Sequence, residues 1–566
     1  MLSPSETTSL AQIQTDLGWS LVNEFSQTFR CLPDEATCGA EILTDHLRQA
    51  GLIPTIHRAP LYLGIPLSAS VSIGTESIDA KASALSPQAT QTALAVHLPA
   101  RKGIGRTHTG DAAMLFDFGD KDPKDILSGL EGKIVVTDGL SNPARTQLLA
   151  SLGAIGVIVI NPGDRSHWGT NSLIWGNPDD RTIHNLPKIA SVAVPNTAQT
   201  VILDAIRNEC PITLECNMFH GWAEQSIVTI DVHPTTGPTQ HHVLFHSHYD
   251  SWEVGVGDNA TGNAVLLETA RALAQCSDKL SRTIRFAWWP GHSAGRYAGS
   301  TWYADRFGLE LFDNCVAHVN CDSPGCKEAT SYAEIRAMIE TEDLVKAATH
   351  DLFGATTEVT SPGRAGDYSF SNLGISGCML TSSMVPAEER RARGWYAVGG
   401  CGGNAAWHSE YDTIDIADRK VLENDIRLYT LLALRLSDTG HLPLDYRKSL
   451  AQLDQPIAAI CANAHRLLGT DFGLAQAFAD ARNLLDAFYA SDAEASDWNR
   501  TVLARGREIV RLGYAEGPVF DQDPARAMGV LPLAEGLISP LDATDHASAT
   551  RLGRVVRELV YRLRHC

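Results

Sequence analysis

Apolar residues recur at two different periods along this chain, and the change of period marks its parts. Residues 10–52 follow helical spacing, with one amphipathic stretch at 18–25 and a second at 38–49 that Gly51 ends. From 60 to about 218 the pattern turns to short runs of strand type, at 61–63, 95–98 and 133–137. A helical stretch at 145–152 interrupts them, and further β-type runs follow at 153–161 and 186–195. Residues 243–245 then read as a buried strand, 263–274 as a helix and 284–289 as the next buried strand. Strand, helix, strand is a βαβ unit, so a parallel sheet is expected. From about residue 441 the spacing is helical again, over 456–468, 475–489, 499–513 and finally 552–563, whose arginines fall on a solvated outer face.

A chain of 566 residues is too long for one core, and these shifts divide it in three. Residues 1–59 with 219–440 form a discontinuous catalytic domain, 60–218 an insert, and 441–566 a helical C-terminal domain. Hydrophobic content of 44% with 20% charged residues is ordinary for a globular protein. The formal net charge of −20 argues against nucleic acid or an anionic membrane as partner. Residues 1–12 lack a basic region and an apolar core, so no secretory signal is expected. The longest apolar runs, such as 155–160, are too short to cross a bilayer. The 12 cysteines form no paired framework, which points to reduced thiols and a cytoplasmic protein.

Chemistry gathers where the strands stop. His248, Asp258 and His292 all fall in post-strand positions, where ligands of parallel sheets bind. Neutral imidazole and carboxylate are the natural partners of zinc. His248-Tyr249-Asp250-Ser251 is followed by Asp258-Asn259-Ala260-Thr261-Gly262. Downstream come Val319-Asn320-Cys321-Asp322, Arg364-Ala365-Gly366-Asp367-Tyr368, and Trp407-His408 ahead of Asp412-Thr413. In these motifs the sequence resembles the co-catalytic zinc exopeptidases: the secreted bacterial aminopeptidases, the aminopeptidase Y type, and the glutamate carboxypeptidase II and transferrin receptor branch. The runs at 132–136, 153–161 and 186–194 resemble the protease-associated domain inserted in several exopeptidases.

The resemblance covers roughly residues 10–440. It implies an α/β fold with a mixed, mostly parallel sheet flanked by helices, an inserted β-rich protease-associated domain and a helical C-terminal region. It implies zinc or another divalent metal, one or two ions. His248 and Asp322 would hold one ion, Asp258 would bridge, His408 would serve the second, and Asp250 would orient His248. Arg364, Asp367 and Tyr368 fall in the segment that resembles the substrate pocket.

The pattern departs from the family at one place. After Trp288-Trp289 family members carry Glu-Glu, a general base and a metal ligand, whereas this chain has His292-Ser293. Three readings follow. His292 replaces the base and the second metal position is short of a ligand; or His292 is itself a ligand, with the base drawn from Glu410 or Glu253; or the site is inactive. A serine hydroxyl is a poor zinc ligand beside a carboxylate, which disfavours Ser293 as a substitute.

Weaker signals remain. Ser251 and His246 stand near Asp250 without any sequence evidence of triad geometry. The glycine cluster 399–403 suits a loop that approaches the site, and Trp395, Tyr396 and Trp407 line a pocket or simply pack. Arg364 and Arg296 either hold a substrate carboxylate or pair with acids. The resulting expectation is a metal-dependent hydrolase of an amide or peptide bond in a small substrate, with His292 and Asp250 in catalytic roles. A homodimer through the C-terminal helices is a further expectation. The alternatives are a non-catalytic, transferrin-receptor-like interaction protein and a metal-dependent lyase on the same scaffold.

Overall fold

Two long antiparallel strands tie the molecule together. The computed structural model describes residues 1–101, 115–120, 122–363, 366–381, 383–437, 440–492, 494–526 and 528–566. Strand β1 (Thr55–Ile73) pairs with the strand Ile212–Val232 from Thr55↔Thr229 to Ile73↔Ile212, with one irregularity between Pro66 and Ser68. Both strands run straight through the sequence-predicted boundaries at 59/60 and 218/219, so insert and remainder share one sheet.

The other strands, in chain order, are β2 (Glu76–Ala82), β3 (Ala89–Ala93), β4 (Ala95–His97), β5 (Ile134–Asp138), β6 (Gly156–Ile160) and β7 (Ala190–Val194). Ile212–Val232 is β8, followed by β9 (His242–His248), β10 (Thr283–Trp289) and β11 (Cys315–Asp322). β12 (Glu334–Ala337), β13 (Glu358–Thr360) and β14 (Ser376–Thr381) complete the set among the described residues. The order across the sheet is β13-β12-β14-β11-β9-β10-β8-β1-β2-β7-β6-β5-β4, with β3 also on β8. β10, β9, β11 and β14 run parallel to one another, as do β4 to β7, and the long pair β1 and β8 joins these blocks through antiparallel contacts.

β9 and β11 are buried at every position, the mark of strands covered on both faces. Alternation sends Val243 and Phe245 to one face, against Leu266 and Leu428 of the helices Thr261–Gln275 and Arg419–Ser437. Leu244 and Trp289 meet Tyr303 and Leu311 of the helix Ala298–Asn314 on the other face. Two smaller cores cover the two faces of the insert block, one around Val136, Ile158 and Val192, the other around Val135, Val157 and Leu149.

The C-terminal helices Asp454–Leu468, Leu474–Tyr489, Ala495–Tyr514 and His546–Leu563 pack on one another and extend the core around Phe245. Arg507 fastens them to the sheet. Its buried guanidinium donates to Phe312 O at 3.1 Å, to Gly374 O at 3.3 Å and to Cys315 O. No helix among the described residues is long and apolar enough to cross a membrane.

Candidate metal centre

The parallel strands end in one crevice. His248 closes β9 and Asp322 closes β11, so neighbouring parallel strands deliver an imidazole and a carboxylate side by side. Asp258 stands in the loop between β9 and the helix Thr261–Gln275. That loop is held from behind by Asp412, whose buried carboxylate accepts from Gly257 N at 2.6 Å and Asp258 N at 2.9 Å. The backbone passes so close that a Cβ on Gly257 would stand 2.7 Å from Cys401 Sγ, which accounts for the glycine. His408 reaches in from the segment after the glycine cluster.

His248 Nε2 lies 3.1 Å from Asp258 Oδ1 and 3.7 Å from Asp322 Oδ1, and His408 Nε2 lies 3.1 Å from Asp258 Oδ2. Asp258 thus stands between the two imidazoles. Each imidazole turns its other nitrogen away from the cluster. His248 Nδ1 donates to the carbonyl of Asp250 at 3.0 Å, and His408 Nδ1 donates to the carbonyl of Trp168 at 2.8 Å. Carbonyl acceptors behind the rings fix both Nε2 lone pairs toward the centre. The expected orienting role of Asp250 is performed by its backbone oxygen. Its carboxylate stands 3.4 Å from His248 Nδ1 and accepts from His292 N at 3.0 Å.

The donor set fits a divalent cation. His248 Nε2 and Asp258 Oδ1 are buried and carry no hydrogen bond despite their closeness. Spacings of 3.1 and 3.7 Å bracket the ligand–ligand edge of about 3.3 Å that four-coordinate zinc with bonds near 2.0–2.1 Å requires. Burial works against a charge on His248, but the surrounding carboxylates of Asp250, Asp258 and Asp322 hold it well above the ordinary imidazole range. Burial likewise opposes ionisation of Asp258, yet His248 and His408 hold it well below the usual carboxylate range. A cation relieves both by displacing the proton.

His292 follows β10 and brings a different partner. Its ring stacks on His248 with centroids 3.9 Å apart and planes 14° apart. Its Nδ1 is 3.0 Å from Asp367 Oδ2, and its Nε2 is 4.0 Å from Asp322 Oδ2. Asp367 is fully buried and also accepts from Ser300 Oγ at 2.9 Å. Burial would raise Asp367, but the neighbouring His292, by charge and hydrogen bond, holds it well below the usual range. An ionised Asp367 requires a proton on His292 Nδ1, which leaves Nε2 as the lone-pair nitrogen. Ser293 lines a cavity of about 10 Å³ together with Cys31, His248, Asp250 and Asp258.

Several sequence-predicted residues stand apart from the cluster. Asp367 is the partner of His292 rather than a group facing substrate. Tyr368 is buried with its ring edge-on to His318 at 4.8 Å, and Arg364 lies outside the described residues. Arg296 donates to Thr170 Oγ1 at 3.1 Å and Ala525 O at 3.3 Å, clamping the insert to the C-terminal region instead of a substrate carboxylate. Glu410 pairs with Lys81, and Glu253 accepts from Trp168 Nε1 at 3.3 Å. Ser251 donates to Glu253 O and His246 meets His318, so these two form no triad. Trp407 stacks on His408 at 3.6 Å, and Tyr396 hydrogen-bonds His167.

Two contributors had no legible signal. Trp168 acts through its backbone, which sequence does not advertise. Arg30 is fully buried and donates to Tyr249 O at 2.7 Å and Gly255 O at 3.2 Å, fixing the loop between the β9 end and Asp258.

Residues 228–430 match the model of peptidase family M28. The match covers 203 of the 566 residues, a little over a third of the chain. Over 129 residues the chain is 32% identical to the aminopeptidase NAALADL1 of Mus musculus, a match that covers 22% of this chain and 16% of that protein. Over 176 residues it is 24% identical to leupeptin-inactivating enzyme 1 of Streptomyces exfoliatus, covering 30% and 39% respectively. The matches thus span well under half the length of either relative. In fold, the chain is similar to an aminopeptidase from Aneurinibacillus sp. strain AM-1, with TM-score 0.55, 20% identity, and 77% and 97% of the two chains covered. It is equally similar to a zinc aminopeptidase from Bacillus subtilis, with TM-score 0.56, 16% identity, and 75% and 96% covered. At these identities the likeness concerns the fold. Within the matched stretch, His292 and Ser293 follow the end of β10.

Proposed function

We propose that this protein is a divalent-metal hydrolase of an amide or peptide bond in a small substrate, with His292 as its general base. His248 and Asp322 would hold one ion, zinc by preference of the donor set, with Asp258 placed to bridge to a second position that His408 would serve. Such an ion polarises a carbonyl and makes water acidic enough to attack near neutral pH. His292 Nε2 takes the proton of the attacking water and returns it to the leaving nitrogen. Asp367 holds the ring through Nδ1 and stabilises the imidazolium formed in between.

One observation carries the choice between base and ligand. The ligand atoms of His248, His292 and Asp322 lie within 4.8 Å of one another, close enough for a shared ion by distance alone. The ring planes favour the base reading. An imidazole lone pair lies in the plane of its ring, and planes stacked 14° apart do not meet near the site. An ion in the plane of His248 stands far out of the plane of His292. Ser293 adds no carboxylate, so the second position would be short of a ligand. The 60–218 insert is read as a protease-associated module that walls the site through Trp168, and the protein as cytoplasmic and dimeric through its C-terminal helices.

The test is a pair of variants. His292→Ala should keep its metal and lose kcat by about 10²–10⁴-fold, the range of a general base. His248→Ala should lose the metal. A His292→Ala protein that no longer retains metal sinks the base reading.

A further inference from the structure

His292 and Asp367 are the end of a longer chain of hydrogen bonds. Asp367 Oδ1 accepts from Ser300 Oγ at 2.9 Å, Ser300 Oγ lies 2.8 Å from Ser369 Oγ, and Ser369 Oγ accepts from Trp175 Nε1 at 2.9 Å. Ser300 sits in the helix Ala298–Asn314, Ser369 stands two positions after Asp367, and Trp175 comes from the 60–218 stretch. Ser300, Ser369 and Asp367 are wholly buried and Trp175 is 2% exposed. The approach is close. A Cβ on Gly176, where φ is +72°, would stand 2.0 Å from Thr301 Oγ1, so glycine is what lets Trp175 lie against that helix.

The chain has a direction. An indole N–H only donates, and an ionised carboxylate only accepts. With those groups at its ends, Ser369 accepts from Trp175 and donates to Ser300, and Ser300 donates to Asp367. The other acceptor within reach of Ser300 Oγ, Tyr297 O, is farther away at 3.2 Å. A hydrogen bond given to the charged form of a carboxyl favours that form. Trp175 also lies against Tyr297 with ring centroids 4.2 Å apart, and Tyr297 meets His292 edge-on at 5.0 Å.

We propose that Trp175, Ser369 and Ser300 are positioning residues for His292. Their aligned donors keep Asp367 an acceptor, Asp367 keeps the ring proton on Nδ1, and Nε2 retains the lone pair that a general base needs. The 60–218 stretch thereby sets the working tautomer of a residue outside it. The catalytic consequence rests on the base reading given above, whereas control of the tautomer does not.

Long-range proton–nitrogen correlation spectra of the full chain, labelled with ¹⁵N-histidine, show which ring nitrogen of His292 carries the proton; His292→Gln assigns the signals. The parent should show Nδ1–H with a low-field, slowly exchanging proton. Ser300→Ala, Ser369→Ala and Trp175→Phe, the last removing the N–H while keeping an aromatic ring, should each move that signal upfield, speed its exchange and admit the Nε2–H tautomer. Ser300→Ala should also lower kcat about tenfold with KM and metal content changed by no more than about twofold. Where one variant fails to fold, the other two carry the test. A parent with Nε2–H, or variants whose His292 signals match the parent, overturn the proposal. Altered spectra with kcat unchanged uphold the positioning and remove His292 as base. Unaltered spectra beside a large kcat loss in His292→Gln remove the positioning residues and leave the base.

Discussion

At the scale of single residues, Asp367 does the most with the least exposure. It receives Ser300 Oγ on one oxygen and His292 Nδ1 on the other, with no water contact to soften either bond. Asp367→Asn keeps the shape but removes the charge that stabilises an imidazolium. We expect kcat to fall by about 10–100-fold with metal content unchanged, the usual cost of losing a carboxylate behind a working imidazole. Steady-state kinetics beside metal analysis checks it; an unchanged kcat would show that His292 moves no proton. Asp425 makes a different point. Burial pushes its carboxyl up to about 7, against hydrogen bonds from Gly325 N, Tyr332 and Ser383 that favour the charged form. The folded pKa lies above the unfolded one, so its stabilising share is present at low pH and is lost as pH rises through 7. Between pH 6 and 8 that amounts to roughly 1.4 kcal/mol for one proton, with the more acidic sample more stable. Melting of metal-free protein at the two pH values, with Asp425→Asn as the flat control, reads this directly.

At the scale of elements, the arrangement rests on what happens where strands stop. β9 and β11 are buried along their length and end on His248 and Asp322, and β10, buried except at Arg285, ends three residues before His292. The loop carrying Asp258 closes on a short π-helical turn, Ala260 N to Gly255 O at 3.1 Å, and Arg30 and Asp412 brace it from distant parts of the chain. The helix Ala495–Tyr514 is fastened in the same manner by Arg507, a guanidinium spent entirely on carbonyls of other elements. Arg507→Ala should destabilise the fold by about 3 kcal/mol, because it leaves buried carbonyls without donors. The expected sign in denaturant melts is a lower midpoint, together with earlier proteolysis of the C-terminal helices. A midpoint within error of the parent would mean that apolar packing alone holds them.

At the scale of the whole molecule, the centre draws on both sheet blocks: His248, Asp258 and Asp322 from one, the Trp168 carbonyl from the other. Removing a bound cation should therefore loosen more than one part. At metal a thousandfold above its Kd the expected stabilisation is about 4 kcal/mol, which chelation takes away. Calorimetric scans before and after chelation measure it, and coincident melting of both forms would mean that the site binds no ion. The apolar periods alone located the βαβ core, the strand-rich insert and the C-terminal helices, since burial of one face or both leaves its signature in every short window. The family resemblance pointed to His248, Asp258, Asp322 and His408, because each lies in a short local motif. Tertiary structure decided what the windows could not carry: that Asp367 stands behind His292, that Arg296 clamps two regions, and that the long strands cross the insert boundary. Those facts depend on ring planes, backbone carbonyls and contacts between residues far apart in the chain, and no local pattern of side chains encodes where such distant groups come to meet.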